Sequence, residues 1–466
     1  MLKKRNLRRL SSRSYLFVLV FLVIVASCSS DNNPTDIPEE GQPEPPVTGS
    51  EPALTRFSVN TSNIQIPDEP KIDATLTITD DGQVVHTGDI GIELRGSSSL
   101  FFPKKSYGVE TWDAEGMDIN VSLLGMPSEE DWILYGPYSD KTLIRNMLIY
   151  DLARDMNRYA SRTKLVELNI NSLYVGVYVF MEKLKRNEQR INISRLKPDE
   201  NVGEDLTGGY IIKIDKNDKG GYTPQNSFES AYPPNNATME QKIRFLYEYP
   251  DADEITTAQR DYISTYVANF ENALASDNFT DPVNGYAAHI DVDSFVDFFI
   301  LNELSNNVDG YRISTYLNKD KNGKLKMGPI WDFNLAFGNA DYCSGGETNV
   351  WAYRFNERCP GDFWAVPFWW ERLLEDPAFV TLVQERWNSL RGSTLSDATI
   401  LSKVDAYVKT LNDVGAVKSN FDTWPIFGTY VWPNNFVGNG YNDEIGYLKQ
   451  WISNRTIWLD DAIGSL

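Results

Sequence analysis

Two aspartates occupy positions from which a helix end and a hairpin could bring them together. Asn307-Val308-Asp309 closes a strongly apolar segment, and Trp331-Asp332-Phe333-Asn334 follows after a stretch patterned as a hairpin. That hairpin is expected from Ile313 to Leu317, a turn at Lys321-Asn322-Gly323, then Lys324 to Ile330. Asp309 precedes the first strand and Asp332 follows the second, so both carboxylates can point into one cleft. Converging acids suit a divalent cation or a base beside a metal-held phosphate. The competing reading is local, with an Asx cap at Asp309 and a turn acid at Asp332. Spacing does not choose between them.

A second group is basic. Arg95-Gly96-Ser97-Ser98-Ser99 forms a small-residue loop, and Lys104-Lys105-Ser106-Tyr107 then enters a strand. Loop N–H groups can hold phosphate and a strand lysine adds a fixed positive charge. The loop is neither a Walker loop nor a true G-x-G-x-x-G, so a solvated loop with a surface lysine pair stays open. Only two histidines occur, His86 and His289, and neither sits in a supporting motif. Histidine-rich zinc sites and Ser-His-Asp hydrolysis are thereby disfavoured, which leaves chemistry to carboxylates, lysine, arginine and amides.

The elements that must carry these groups divide into two halves. Strands are expected at Lys71–Thr79, Gly91–Arg95 and Lys105–Thr111, with a hairpin over Lys164–Glu182 turning at Asn171-Ser172, and a strand at Gly209–Ile214. One helix, Asp140–Met156, interrupts them with Asp140 as its N-cap. The second half is mainly helical, with apolar faces over Thr257–Leu274, Asp291–Leu304 and Glu444–Ile463. Such an order is an α+β, two-lobed plan.

R-G-S-S-S…P-K-K-S-Y, D-W-I-L-Y-G-P-Y-x-D-K-T-L-I-R-N, Y-V-G-V-Y-x-x-x-E, G-G-Y, N-x-D-G and P-I-W-D-F-N-x-A-F-G occur in that order. The series resembles the CotH kinase family, known from bacterial spore coats and frequent among exported bacterial proteins. It covers roughly residues 55–342. The resemblance implies an atypical protein-kinase-like fold, with a strand-rich N-terminal lobe (about 53–200) and a mainly helical C-terminal lobe (about 205–466). It also implies use of ATP with Mg2+ or Mn2+. Asp309 matches the family's catalytic aspartate and Asp332 its metal-binding aspartate. Asn334 stands at a second metal position where many members carry Asp. Lys104 or Lys105 would hold the phosphates under the Arg95–Ser99 loop, with Ser97 and Ser98 in it. Glu182, placed like a kinase hinge, is implied as a nucleotide contact. Position 314, five after Asp309, is Ser where ordinary kinases place a second metal-binding Asn. No Glu in the middle of the 140–156 helix can pair with a strand lysine, and Arg145 and Asn146 have no assigned role.

The chain's start sets the expected compartment. Lys3, Lys4, Arg5, Arg8, Arg9 and Arg13 precede an apolar run of twelve residues, Tyr15 to Ala26, and then Ser27-Cys28. This describes a secretory leader over 1–27, too short an apolar run for a bilayer span. Cys28 after Val-Ala-Ser resembles a bacterial lipobox and is the expected lipidation site. Six prolines among acidic and small residues make 28–52 a disordered tether. The expected location is the cell envelope, with a lipid anchor on the periplasmic side or at the cell surface.

Of 44 basic residues, six lie in the leader, which leaves 38 against 65 acidic, a net of −27. No nucleic-acid partner is expected of that charge. Cys343 and Cys359, the other two cysteines, are expected to form a disulfide, with two free thiols as the alternative. Trp351, Trp364, Trp369 and Trp370 crowd one segment; core packing is the expectation and sugar stacking the alternative. Asp215, Asn217, Asp218 and Gly220 read as a polar turn, since a calcium loop would need a terminal Glu. The leading functional expectation is a Ser/Thr protein kinase acting on secreted or surface proteins. Its rival is a non-catalytic, kinase-like surface lipoprotein for binding or adhesion, with glycans as a ligand. A carboxylate-pair glycosidase would leave the Arg-Gly-Ser-Ser-Ser and Lys-Lys blocks unexplained.

Overall fold

Alternating apolar residues near the N-terminus close into a seven-stranded barrel. The computed structural model describes residues 53–217, 220–237 and 241–466; the leader, the Cys28 lipidation site and the tether lie outside the described residues. The barrel strands are β1 (Arg56–Asn60), β2 (Ile72–Asp80), β3 (Gln83–Arg95), β4 (Ser106–Trp112), β5 (Asp131–Tyr135), β6 (Thr163–Ile170) and β7 (Leu173–Glu182). They run in the order β1-β2-β3-β4-β5-β7-β6, and closure comes from β1 pairing parallel to β6. Side-chain alternation gives β5 and β7 two faces. Trp132, Leu134, Tyr178 and Phe180 fill the barrel, whereas Ile133, Val177, Val179 and Met181 join the larger core outside it.

Helix α1 (Arg145–Asp155) packs into that larger core. It begins five residues later than expected, because Leu143 takes a left-handed φ of 68° and Asp140 caps from outside the helix. The Asp140 carboxylate accepts the Arg145 N–H at 2.9 Å, satisfying a first-turn donor, and it also pairs with the Arg145 guanidinium. Arg145 thus has a structural role.

A second, five-stranded sheet has the order β12-β11-β8-β10-β9. It is built from β8 (Tyr210–Ile214), β9 (Ser227–Glu229), β10 (Arg244–Tyr249), β11 (Thr315–Lys319) and β12 (Leu325–Met327). The remaining helices are α2 (Thr257–Ala275), α3 (Val292–Ser305), α4 (Phe355–Arg358), α5 (Trp369–Leu373), α6 (Pro377–Arg391), α7 (Asp397–Asp413), α8 (Ala416–Thr423) and α9 (Tyr441–Gly464). The architecture is therefore α+β and two-lobed, with the strand-rich part first and the helical part second. Helix α3 is buried on every side from Ser294 to Ser305. Asp291 caps its start, accepting the Ser294 N–H at 3.0 Å, and Asn306 ends it in the left-handed conformation at φ 42°. That turn leads through Asn307 and Val308, both buried, to Asp309, which lines a cleft.

Among the described residues, no helix is long and apolar enough to cross a membrane. Trp369 and Trp370 are core residues, stacked against Phe245, Phe295 and Phe298. Core packing therefore accounts for them, and they offer no face to a sugar. Cys343 and Cys359 form a disulfide.

Candidate active site

A cleft of about 550 Å3 opens where the barrel meets the helical lobe, a volume suited to a nucleotide-sized ligand. Its barrel side presents the Arg95–Ser99 loop together with Ile133, Tyr135 and Met181. Its floor carries Tyr150 and Asn146 from α1, and its far side carries Asp215, Asp309, Ser314, Asp332 and Asn334. The hairpin β11–β12 does bring Asp309 and Asp332 to one cleft.

Local backbone fixes these groups. Gly96 adopts φ 131°, and a Cβ there would meet the Ser99 Oγ at 2.0 Å, so the loop's tight entry requires glycine. Asp332 is non-glycine at φ 61°, a strained conformation that its neighbours hold. Its N–H donates to the Tyr150 hydroxyl at 3.0 Å, and the next N–H, of Phe333, donates to Asn146 Oδ1 at 2.7 Å. Asn146 thereby gains a role that the sequence left unassigned.

Asp309 Oδ1 accepts from Arg312 Nη2 at 3.2 Å and from the Tyr342 hydroxyl at 3.4 Å. Arg312 is itself buried, lying over the Phe355 ring and bonded to Asp362 Oδ1 at 3.1 Å. Burial pushes the Asp332 carboxyl up to about 7, and the nearby Asp309 and Asp215 carboxylates add to it against Arg95 and Lys216. Burial likewise raises Asp215, with Lys213 opposing. Four carboxylate residues, Glu69, Asp215, Asp309 and Asp332, line the cleft. Oxygen donors of this kind fit Mg2+ or Mn2+.

The cations that line the cleft differ from those expected to hold phosphate. Lys104 is 2 % exposed and does not line the cleft. Its Nζ donates to Val177 O at 2.6 Å and to Asn420 Oδ1 at 2.8 Å, tying the barrel to α8. Burial drives its pKa well below the usual lysine value, with Asp140 opposing. Lys105 donates to Leu100 O and braces the loop from outside the cleft. Glu182 is wholly buried and accepts from the Arg162 guanidinium at 2.7 Å and the Arg162 N–H at 3.0 Å. At the hinge position its neighbour Met181 lines the cleft instead.

Three cations do line it: Arg95, Lys213 and Lys216. Arg95 lies over the Trp331 ring at 5.6 Å. Lys213, on β8, pairs with Glu248 of β10 at 2.9 Å. Burial works against its charge, but Tyr316, Glu248 and Asp215 outweigh it and hold Lys213 above the usual lysine value. A strand-borne lysine–glutamate pair, for which helix α1 offers no Glu, thus occurs in the second sheet. Its signal was present in the alternation of Tyr210-Ile211-Ile212-Lys213-Ile214, where a lone lysine interrupts an apolar strand. Asp215, expected in a polar turn, is likewise a cleft residue; Asp218 lies outside the described residues.

At the mouth, Tyr342 and Trp432 stack at 6.3 Å with rings 4° apart, and Trp432 is 52 % exposed. A smaller cavity of about 230 Å3 behind the β12–Asp332 connection includes Asp297, already paired with Arg158 at 2.6 Å and Arg386 at 2.8 Å. A family model described as CotH kinase protein matches residues 92–459. No curated protein matches the chain.

Proposed function

The chain belongs to the CotH kinase family, and from that premise we propose that it is an ATP- and Mg2+-dependent protein kinase transferring phosphate to Ser or Thr hydroxyls. The observation that carries the reading is that one cleft is lined by Asp309, Asp332 and Asp215 together with Arg95, Lys213 and Lys216. That arrangement suits a metal and a triphosphate held between them.

Asp332 and Asn334 would hold the metal, and the bound ion would neutralise charge on the phosphate oxygens. Arg95 and the backbone around Ser97 and Ser98 would cover the phosphates, with Lys213 and Lys216 facing them. Ile133 and Met181, apolar and adjacent in register, would face the base. Asp309 would accept the proton of the acceptor hydroxyl as its oxygen bonds to the terminal phosphorus and the bond to the departing diphosphate breaks. Arg312, whose Nη2 donates to Asp309 Oδ1 at 3.2 Å, orients the carboxylate for that task.

The sequence features at 1–52 complete the proposal. Removal of residues 1–27 would leave Cys28 lipidated, and 28–52 would tether the kinase-like body of 53–466 to the cell envelope. Its clients would then be secreted or surface proteins. The test is a thermal-shift titration of the full chain with ATP and Mg2+ or Mn2+. Stabilisation should require both nucleotide and metal, and should vanish in Asp332→Ala. Radiolabel transfer from ATP to the chain itself or to a generic protein should vanish in Asp309→Ala while binding persists. A folded wild-type chain with no metal-dependent nucleotide shift rejects the reading.

A further inference from the structure

We propose that Asp215 is a ligand of the metal–nucleotide complex, filling the place that Ser314 leaves open; this rests on the kinase reading above. Strands β8 and β11 are antiparallel with Ile214 opposite Thr315, so the next residues along, Asp215 and Ser314, are neighbours across the sheet. The contact is direct: the Ser314 N–H donates to Asp215 Oδ1 at 3.2 Å, and the Lys216 N–H donates to the same oxygen at 2.9 Å.

In a kinase site the residue five after the catalytic aspartate supplies a side-chain oxygen to the second metal. Here that residue is Ser314, whose short side chain follows a backbone at φ 50°. Asp215 and Ser314 line the same cleft as Asp309 and Asp332. A structural acceptor for two amides could equally be asparagine. A carboxylate at this point adds repulsion with Asp309 and Asp332 unless a cation lies among them. Residues i and i+2 of a strand share a face, so Lys213 stands beside Asp215: its Nζ lies 3.9 Å from Asp215 Oδ2 but 2.9 Å from Glu248 Oε2, its nearer partner. The end of β8 thus offers one group for phosphate and one for metal.

The test is Mn2+ titration of the full chain at fixed ATP, with free Mn2+ read from its EPR signal and the metal-free unfolding midpoint measured alongside. Asp215→Asn should weaken Mn2+ binding at least tenfold. Adding Ser314→Asn should recover most of the loss, because asparagine tolerates the left-handed backbone there. Asp215→Glu, which keeps the charge but displaces it, should also weaken binding severalfold and serves if Asp215→Asn does not fold. Folded variants at position 215 that bind within twofold of wild type overturn the assignment alone. A double variant no better than Asp215→Asn overturns the shared place with Ser314. Wild type without Mn2+·ATP binding overturns the kinase reading and this inference together.

Discussion

The backbone N–H of Asp332 donates to the Tyr150 hydroxyl at 3.0 Å, so helix α1 holds a residue whose own chain arrives from β12. Asp332 sits at φ 61°, and this bond together with that from Phe333 to Asn146 keeps the strained segment in place. Tyr150→Phe removes the acceptor and leaves a buried donor unpaired, which costs about 1–3 kcal/mol. A urea unfolding midpoint lowered accordingly, with weaker Mg2+·ATP binding, is the expected result. Unchanged stability and affinity would show that the segment holds itself.

The carboxyl of Asp332 makes stability fall with rising pH. Its folded value is near 7 against an ordinary 3.8, so between those values the folded chain keeps a proton that the unfolded chain releases. The contribution is neutral at low pH, turns unfavourable as pH climbs through this window, and is largest above 7. Asp332→Asn removes the charge while retaining the shape. In EDTA at pH 8 its melting temperature should exceed that of wild type, and the gap should close towards pH 4. Mg2+·ATP should raise wild type alone. A variant less stable than wild type at pH 8 contradicts the crowding of three acids.

Which parts of this site could be read in the sequence follows from the range of the forces involved. Asp309 and Asp332 were legible because a hairpin is local: turn residues and alternation bring its ends together without any long-range contact. The hairpin turn at Asn171-Ser172 was legible for the same reason, and both residues take positive φ. Lys104 misled because its partner Asn420 lies 316 residues away, and no pattern near Lys104 announces a buried cation bound to α8. Lys213 and Asp215 were missed because their place in the cleft depends on β8 pairing with β11, a long-range choice of neighbour. Glu182, expected as a nucleotide contact, instead forms a buried ion pair with Arg162, a partner 20 residues away that no local pattern announces.

Exchanging the roles of two lysines gives a direct prediction. Lys104→Met removes the lysine donor from Val177 O and leaves Asn420 Oδ1 with the Val177 N–H alone, at a cost of about 1–3 kcal/mol. The unfolding midpoint should drop, while the protein that remains folded binds Mg2+·ATP within twofold of wild type. Lys213→Ala should do the reverse, weakening nucleotide binding about tenfold or more with a smaller loss of stability. Isothermal titration beside chemical denaturation separates the two. A tenfold affinity loss confined to Lys104→Met would return the phosphate role to that lysine.

The disulfide should support Asp309 as well as the fold. Cys343 follows Tyr342, whose hydroxyl reaches Asp309 Oδ1, and Cys359 stands three residues before Asp362, which holds Arg312 against the same carboxylate. The bridge thus fastens together the two segments that contact Asp309 and Arg312. Closing a loop of 16 residues contributes roughly 3 kcal/mol through the unfolded chain. Cys343→Ser with Cys359→Ser should lower stability by about that amount. Because small displacements of a positioned base are costly, phosphate transfer should fall about tenfold under conditions where the variant is still folded and Mg2+·ATP affinity is nearly unchanged. Transfer at the wild-type rate in a folded, bridge-free variant would confine the disulfide to stability.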